Sequence, residues 1–182
     1  MSIADCLSIT PPYSENYEHH WPINVKGRII LDLGADYGST AEYFLRKGAA
    51  RVICVEGNPS YYRRLQENLK YLPNCIAIYK YLRSPGDFVE VLANYADVVK
   101  VDVEGAEKYL LGVERPFLLQ HEQWIIELHR NIDKKALINH FEQAGFYLIN
   151  KFNFAWGLTV VHFSRNHPML QKIEKYKDFF IL

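Results

Sequence analysis

Residues 28–38, Arg-Ile-Ile-Leu-Asp-Leu-Gly-Ala-Asp-Tyr-Gly, commit the chain to a strand that turns through glycine into a helix. Ile29, Ile30, Leu31 and Leu33 have the composition of a buried strand, and the residues after Gly38 take up a helical pattern. Glycine lets the backbone of the turn approach a bound molecule, and the helix behind it offers unpaired N–H groups. The spacing Gly34-x-x-x-Gly38 differs from the Gly-x-Gly-x-x-Gly of dinucleotide sites, so a pyrophosphate is not the expected guest. Asp32 suits a ligand carrying a cation or hydroxyl groups better than one carrying phosphates.

From Gly27 onward, strand and helix patterns alternate. Strands are expected at 28–33, 51–56, 75–81, 98–103 and 124–129, and helices near 39–48, 60–71, 86–95, 107–120 and 133–144. Asn58-Pro59 opens one helix as cap and first residue, Asp133 caps another, and Gly145 ends it. Such alternation implies right-handed crossovers and a doubly wound, mostly parallel α/β sheet. The ending differs: Phe146–Ile149 and Gly157–Phe163 have no helix between them and read as an antiparallel hairpin, which brings the sheet to seven strands. The 182 residues are read as one domain: an irregular segment 1–27, a core 28–163, and a C-terminal helix and apolar tail 164–182. The aromatic 1–27 segment is a candidate lid or a tail packed on a sheet edge, and the tail either docks on its own domain or meets a second copy.

The charges balance at 21 basic and 21 acidic residues, which leaves no electrostatic footprint for nucleic acid. Arg63, Arg64, Lys70, Lys80 and Arg83 are the one visible basic cluster, read as a solvated helix face and loop. Nucleic acid is therefore disfavoured as a partner, a small molecule is expected, and the chain is expected to be a monomer or homodimer. No apolar run approaches a membrane span, Asp5 and Cys6 break any leader-like stretch, and Cys6, Cys54 and Cys75 form no Cys-x-x-Cys pair. The expectation is a cytoplasmic protein without disulfides.

In open α/β sheets ligands sit beyond the carboxyl ends of the strands, which selects the polar residues that matter. Asp32, Gly34, Asp36, Tyr37 and Gly38 stand at the first end, and Glu56 with Gly57 and Asn58 at the second. Glu56 falls close to the offset at which a carboxylate takes ribose hydroxyls, and Gly57 would leave room for an adenine. On an extended strand Lys100, Asp102 and Glu104 share a face, and the next strand ends in Glu127 and His129. These groups can serve general-base catalysis, hold a divalent metal, or form an internal ion-pair network of Lys100 with Asp102 or Glu127. The first reading is preferred, and no metal is assigned. The remaining histidines, His19, His20, His121, His140, His162 and His167, are read as surface or satisfied core residues.

Four blocks, Leu31–Gly38, Val52–Pro59, Val99–Glu107 and Ile125–His129, resemble the class I S-adenosylmethionine-dependent methyltransferases, and more narrowly the FkbM-like family. The resemblance implies a Rossmann-like sheet closed by the hairpin and S-adenosylmethionine as cofactor. It implies that Asp32, Gly34 and Gly38 hold the methionine part, Glu56 the ribose, and that Asp102 and Glu104 lie beside the methyl group. The full expected cofactor set is Asp32, Gly34, Ala35, Asp36, Tyr37, Gly38, Glu56, Gly57, Asn58 and Asp102. Asp87 is the one acidic candidate for the adenine amino group. The expected reaction is O-methylation of a small hydroxylated acceptor, with His129 or Glu104 as base and Asp102 orienting. A non-catalytic cofactor-binding scaffold is the alternative, and a nucleotide-dependent oxidoreductase is disfavoured by the missing dinucleotide motif.

Overall fold

The computed structural model describes residues 17–166. Seven strands form one sheet: β1 (Ile29–Leu33), β2 (Arg51–Glu56), β3 (Cys75–Tyr79), β4 (Val98–Val101), β5 (Gln123–Leu128), β6 (Tyr147–Asn153) and β7 (Thr159–Ser164). Their order is β3-β2-β1-β4-β5-β7-β6. The first five pair in parallel, whereas β7 is antiparallel to both β5 and β6, as the hairpin pattern predicts. The α/β class, the Rossmann-like winding and the antiparallel end are as read from the sequence. The order reverses between β1 and β4, where such sheets open a crevice for ligands.

Strand alternation divides the core in two. Leu31, Leu33, Ile53, Val55, Val99, Val101, Trp124 and Ile126 face one layer, made by α4 (Pro85–Leu92), the 3₁₀ segment Ala106–Gly112, α5 (Arg115–Leu118) and α6 (Lys134–Ala144). Ile30, Val52, Cys54, Val98 and Ile125 face the other, which α2 (Ser39–Arg46) and α3 (Pro59–Asn68) cover together with Trp21. Trp21 follows a single-turn helix, α1 (Tyr17–His20). Asp32 and Lys100 lie on this second face, where Trp21 and the α2 layer enclose them.

The elements depart from expectation in identifiable places. β4 stops at Val101, because Glu104 (φ 55°) and Gly105 (φ 98°) enter the left-handed region and turn the chain. Lys100, Asp102 and Glu104 therefore do not share a strand face. The helix expected over 107–120 is two pieces, since Pro116 is tolerated only in the first turn of a helix and forces a restart after the extended Val113. The expected terminal helix and tail, and most of the 1–27 segment, lie outside the described residues. Among those residues no helix is long and apolar enough to cross a membrane.

Candidate functional site

Asp32 and Lys100 are register partners on β1 and β4. Their side chains meet at 3.0 Å with both residues almost fully buried, and Lys100 also donates to the Gly34 carbonyl at 2.8 Å. Thr40 donates to the other Asp32 oxygen at 2.6 Å. Asp32 is thus enclosed and acts through Lys100, and the network expected for Lys100 is centred on Asp32, with Asp102 farther off at 3.8 Å. Burial disfavours the ammonium, but Asp32 and Asp102 outweigh it and hold Lys100 protonated, above the usual lysine range. The Trp21 ring lies under this ammonium at 5.3 Å.

The glycines mostly serve the protein's own packing. A Cβ on Gly34 would fall 1.6 Å from the Asp102 carbonyl oxygen, so this residue lets the β1 and β4 loops touch. Gly38 leaves space for Leu65 and Leu72, and Ala35 is buried in the core. Gly57 does not open room for an adenine as expected: Tyr81 fills that space, its ring 2.9 Å from where a Cβ would stand. Asp87 is likewise committed elsewhere, to Lys80 at 2.8 Å and to the Arg83 N–H and Ser84 hydroxyl that cap α4. Those partners, Lys80 first, hold its carboxyl below the usual range.

Glu56 and Asp36 form the acidic lip. The two Glu56 oxygens accept from the Asp36 N–H at 2.9 Å and the Asn58 N–H at 2.6 Å, which ties the β1 and β2 loops together. Asn58 caps α3 by accepting from the Ser60 and Tyr61 N–H groups. Asp36 has a left-handed backbone (φ 50°), and its Oδ1 is buried without a hydrogen-bond partner among the described residues. Burial, then the carboxylates of Glu56, Asp102 and Asp32 against the pull of Lys100, raise Asp36 to about 6. Tyr37 faces outward against Tyr61, with the Arg64 guanidinium 5.3 Å above its ring.

A second cluster gathers where β4 and β5 end. His129 donates from Nδ1 to Glu107 at 3.0 Å, while its Nε2 lies 3.2 Å from Glu104, 3.6 Å from Glu127 and 3.9 Å from Asp102. Glu107 is fully buried and also accepts from the Val103 N–H. The hydrogen bond to Glu107, against desolvation and with the added charges of Glu107, Asp102 and Glu104, raises His129 to about 9. An imidazolium at neutral pH has no free lone pair, so His129 does not suit the expected role of base. Burial raises Glu127 despite His20, whose Nε2 contacts it at 2.5 Å.

His20 and Glu107 were not among the expected site residues. His20, read as a surface or satisfied core histidine, is satisfied by a partner at the site: it reaches Glu127 across the sheet end and stacks on Phe154. The pair is separated by 107 positions, which no local pattern reveals. Glu107 lies inside the Val99–Glu107 block, at the start of the helix expected over 107–120. The structure brings Asp36, Glu56 and Asn58 to one lip and Asp102, Glu104 and His129 to another, with Asp102 adjoining both through Lys100 and Gly34.

No protein-family model matches the chain. Over 118 residues, 64% of this chain and 70% of the relative, it is 32% identical to uncharacterized protein 65 of Sulfolobus islandicus filamentous virus. A candidate RNA methyltransferase from Pyrococcus horikoshii is similar in structure, with TM-score 0.56, 23% identity and coverage of 77% of this chain and 76% of that one. Aeropyrum pernix fibrillarin, solved with S-adenosyl-L-methionine bound, gives TM-score 0.60 and 17% identity over 78% and 68% of the two chains. The B. subtilis tRNA methyltransferase TrmK gives 0.62 and 13% over 85% and 67%. At these identities the likeness establishes the fold, that of class I methyltransferases. It also overturns the expectation that disfavoured nucleic acid and favoured a small-molecule partner: proteins of this fold named as RNA and tRNA methyltransferases stand among the similar structures. A balanced total charge was the wrong guide, because it averages over the surface and hides where charge is placed.

Proposed function

The chain belongs to the family of the filamentous-virus protein 65, and from that premise we propose that it is an S-adenosylmethionine-dependent methyltransferase acting on RNA. The carrying observation is the acidic lip at the switch point of the sheet, where Asp36 keeps a buried oxygen unpartnered next to Glu56. Such an excess of carboxylate fits a ligand that brings an ammonium, a sulfonium and ribose hydroxyls. Glu56 would accept from the ribose, held in place by its two backbone donors. Asp36 and Asp102 would face the cationic portion, while Asp32 positions Lys100 beneath the loop. When bound, S-adenosylmethionine supplies a methyl group already activated for displacement by its sulfonium. The four sequence blocks support the narrower FkbM-like reading.

RNA as acceptor is favoured by the rim as well as by the company the fold keeps. Tyr79 and Tyr81 are more than half exposed on the β3 edge, and Arg83 covers the Tyr81 ring at 4.2 Å. With Arg64 over Tyr37 on α3's side, this rim pairs ring faces and guanidinium groups as single-stranded bases require. The acceptor atom is read as a hydroxyl oxygen, since no Asn/Asp-Pro-Pro-Tyr/Phe signature occurs in the chain. Glu104, 88% exposed in its side chain and paired with His129 at 3.2 Å, is the carboxylate that would take the hydroxyl proton that His129 cannot.

The test is incorporation of radiolabelled methyl from S-adenosylmethionine into total RNA, with Asp102→Asn alongside. Transfer by the native chain and its loss in a folded Asp102→Asn variant are expected. No transfer to RNA, with the cofactor bound, would leave the non-catalytic scaffold as the better account.

A further inference from the structure

We infer that Asp102, Glu104 and His129 form a binding site for a divalent cation. One carboxylate oxygen from each acid and Nε2 of the histidine all lie within 4.8 Å of one another. Atoms coordinated about 2.0–2.2 Å from one ion stand about 3 Å apart when adjacent and about 4 Å when opposite. The separations from Nε2, 3.2 Å to Glu104 and 3.9 Å to Asp102, fall inside that range.

Glu107 supplies the independent observation. It is fully buried against His129, and its Oε2 has no hydrogen-bond partner among the described residues. Its Oε1 holds His129 Nδ1, which aims Nε2 at the two acids, the arrangement in which a carboxylate orients and enriches a ligating imidazole. Local charge agrees. Asp102, Glu104, Glu107 and Glu127 surround His129, whereas Lys100 is committed first to Asp32. Two carboxylates and one imidazole, which gives up its Nε2 proton to solvent as the ion takes its place, suit Mn²⁺, with remaining positions open to oxygen ligands. Resting on the methyl-transfer reading, one of those oxygens would be the acceptor hydroxyl. The ion would then change Glu104 from proton acceptor to ligand.

Electron paramagnetic resonance of Mn²⁺ titrated with the full chain tests the site without reference to turnover. One Mn²⁺ per chain is expected, with Glu104→Gln, on an exposed side chain that leaves the fold intact, weakening it tenfold or more. Mn²⁺ that stays free, or that binds Glu104→Gln as tightly as the native chain, overturns the site. Calorimetry of S-adenosylmethionine on the same samples separates the two proposals. Cofactor binding without Mn²⁺ removes only the cation site; Mn²⁺ binding without the cofactor removes only the methyltransferase reading.

Discussion

Asp36 pays most visibly for the site among single residues. Its carboxyl is raised from 3.8 to about 6, so ionising it costs the folded state free energy as pH climbs from about 4 through 6, and that cost persists above. Asp36→Asn is expected to stabilise the ligand-free protein at pH 8, by about 1 kcal/mol once solvent screening is allowed for, and not at pH 4. Thermal unfolding at the two pH values measures this. Asparagine also tolerates the left-handed backbone there, so the substitution adds no strain. The same charge is what a cationic ligand would relieve, and the variant is expected to bind S-adenosylmethionine more weakly at pH 8. Gly34 is the other decisive position. At φ 80°, with the Asp102 carbonyl 1.6 Å from a would-be Cβ, Gly34→Ala is expected to destabilise the fold by about 3 kcal/mol or more, read by denaturant unfolding.

At the scale of elements, α3 carries a direct check on the second strand-end loop. Asn58 accepts two N–H groups at the start of α3 while its own N–H binds Glu56. Asn58→Ala is expected to cost about 1 kcal/mol through the lost cap, measured as a lowered unfolding midpoint, while the backbone hold on Glu56 remains. This cap was legible in Asn58-Pro59, as the hairpin was in two adjoining strand patterns, because both depend on neighbours in sequence. The break at Pro116 is a local signal too, since proline ends the longer helical period that 107–120 suggests. The partners of Asp32, Glu127 and Gly57 were not legible. Lys100, His20 and Tyr81 reach them through strand register or chain return, and a one-residue change of register would have chosen other partners.

For the whole molecule, the order β3-β2-β1-β4-β5-β7-β6 gathers residues from four strand ends around one crevice. The fold follows from alternation and the terminal hairpin, and every expected strand is present. Several of the expected binding residues also hold their own neighbours in place. Gly34, Gly38 and Ala35 shape the loops, and Asp32 is sealed against Lys100, so the proposed cofactor recognition rests on Asp36, Glu56 and Asp102. Total charge is a poor guide to a partner because it conceals local surface such as the arginines set over tyrosine rings on the rim. The central claim is that this crevice holds S-adenosylmethionine through Glu56, and calorimetric titration of the native chain and Glu56→Ala tests it most directly. Saturable binding by the native chain and its loss in a folded Glu56→Ala are predicted; absence of binding by the native chain, or equal binding by both, would contradict the account.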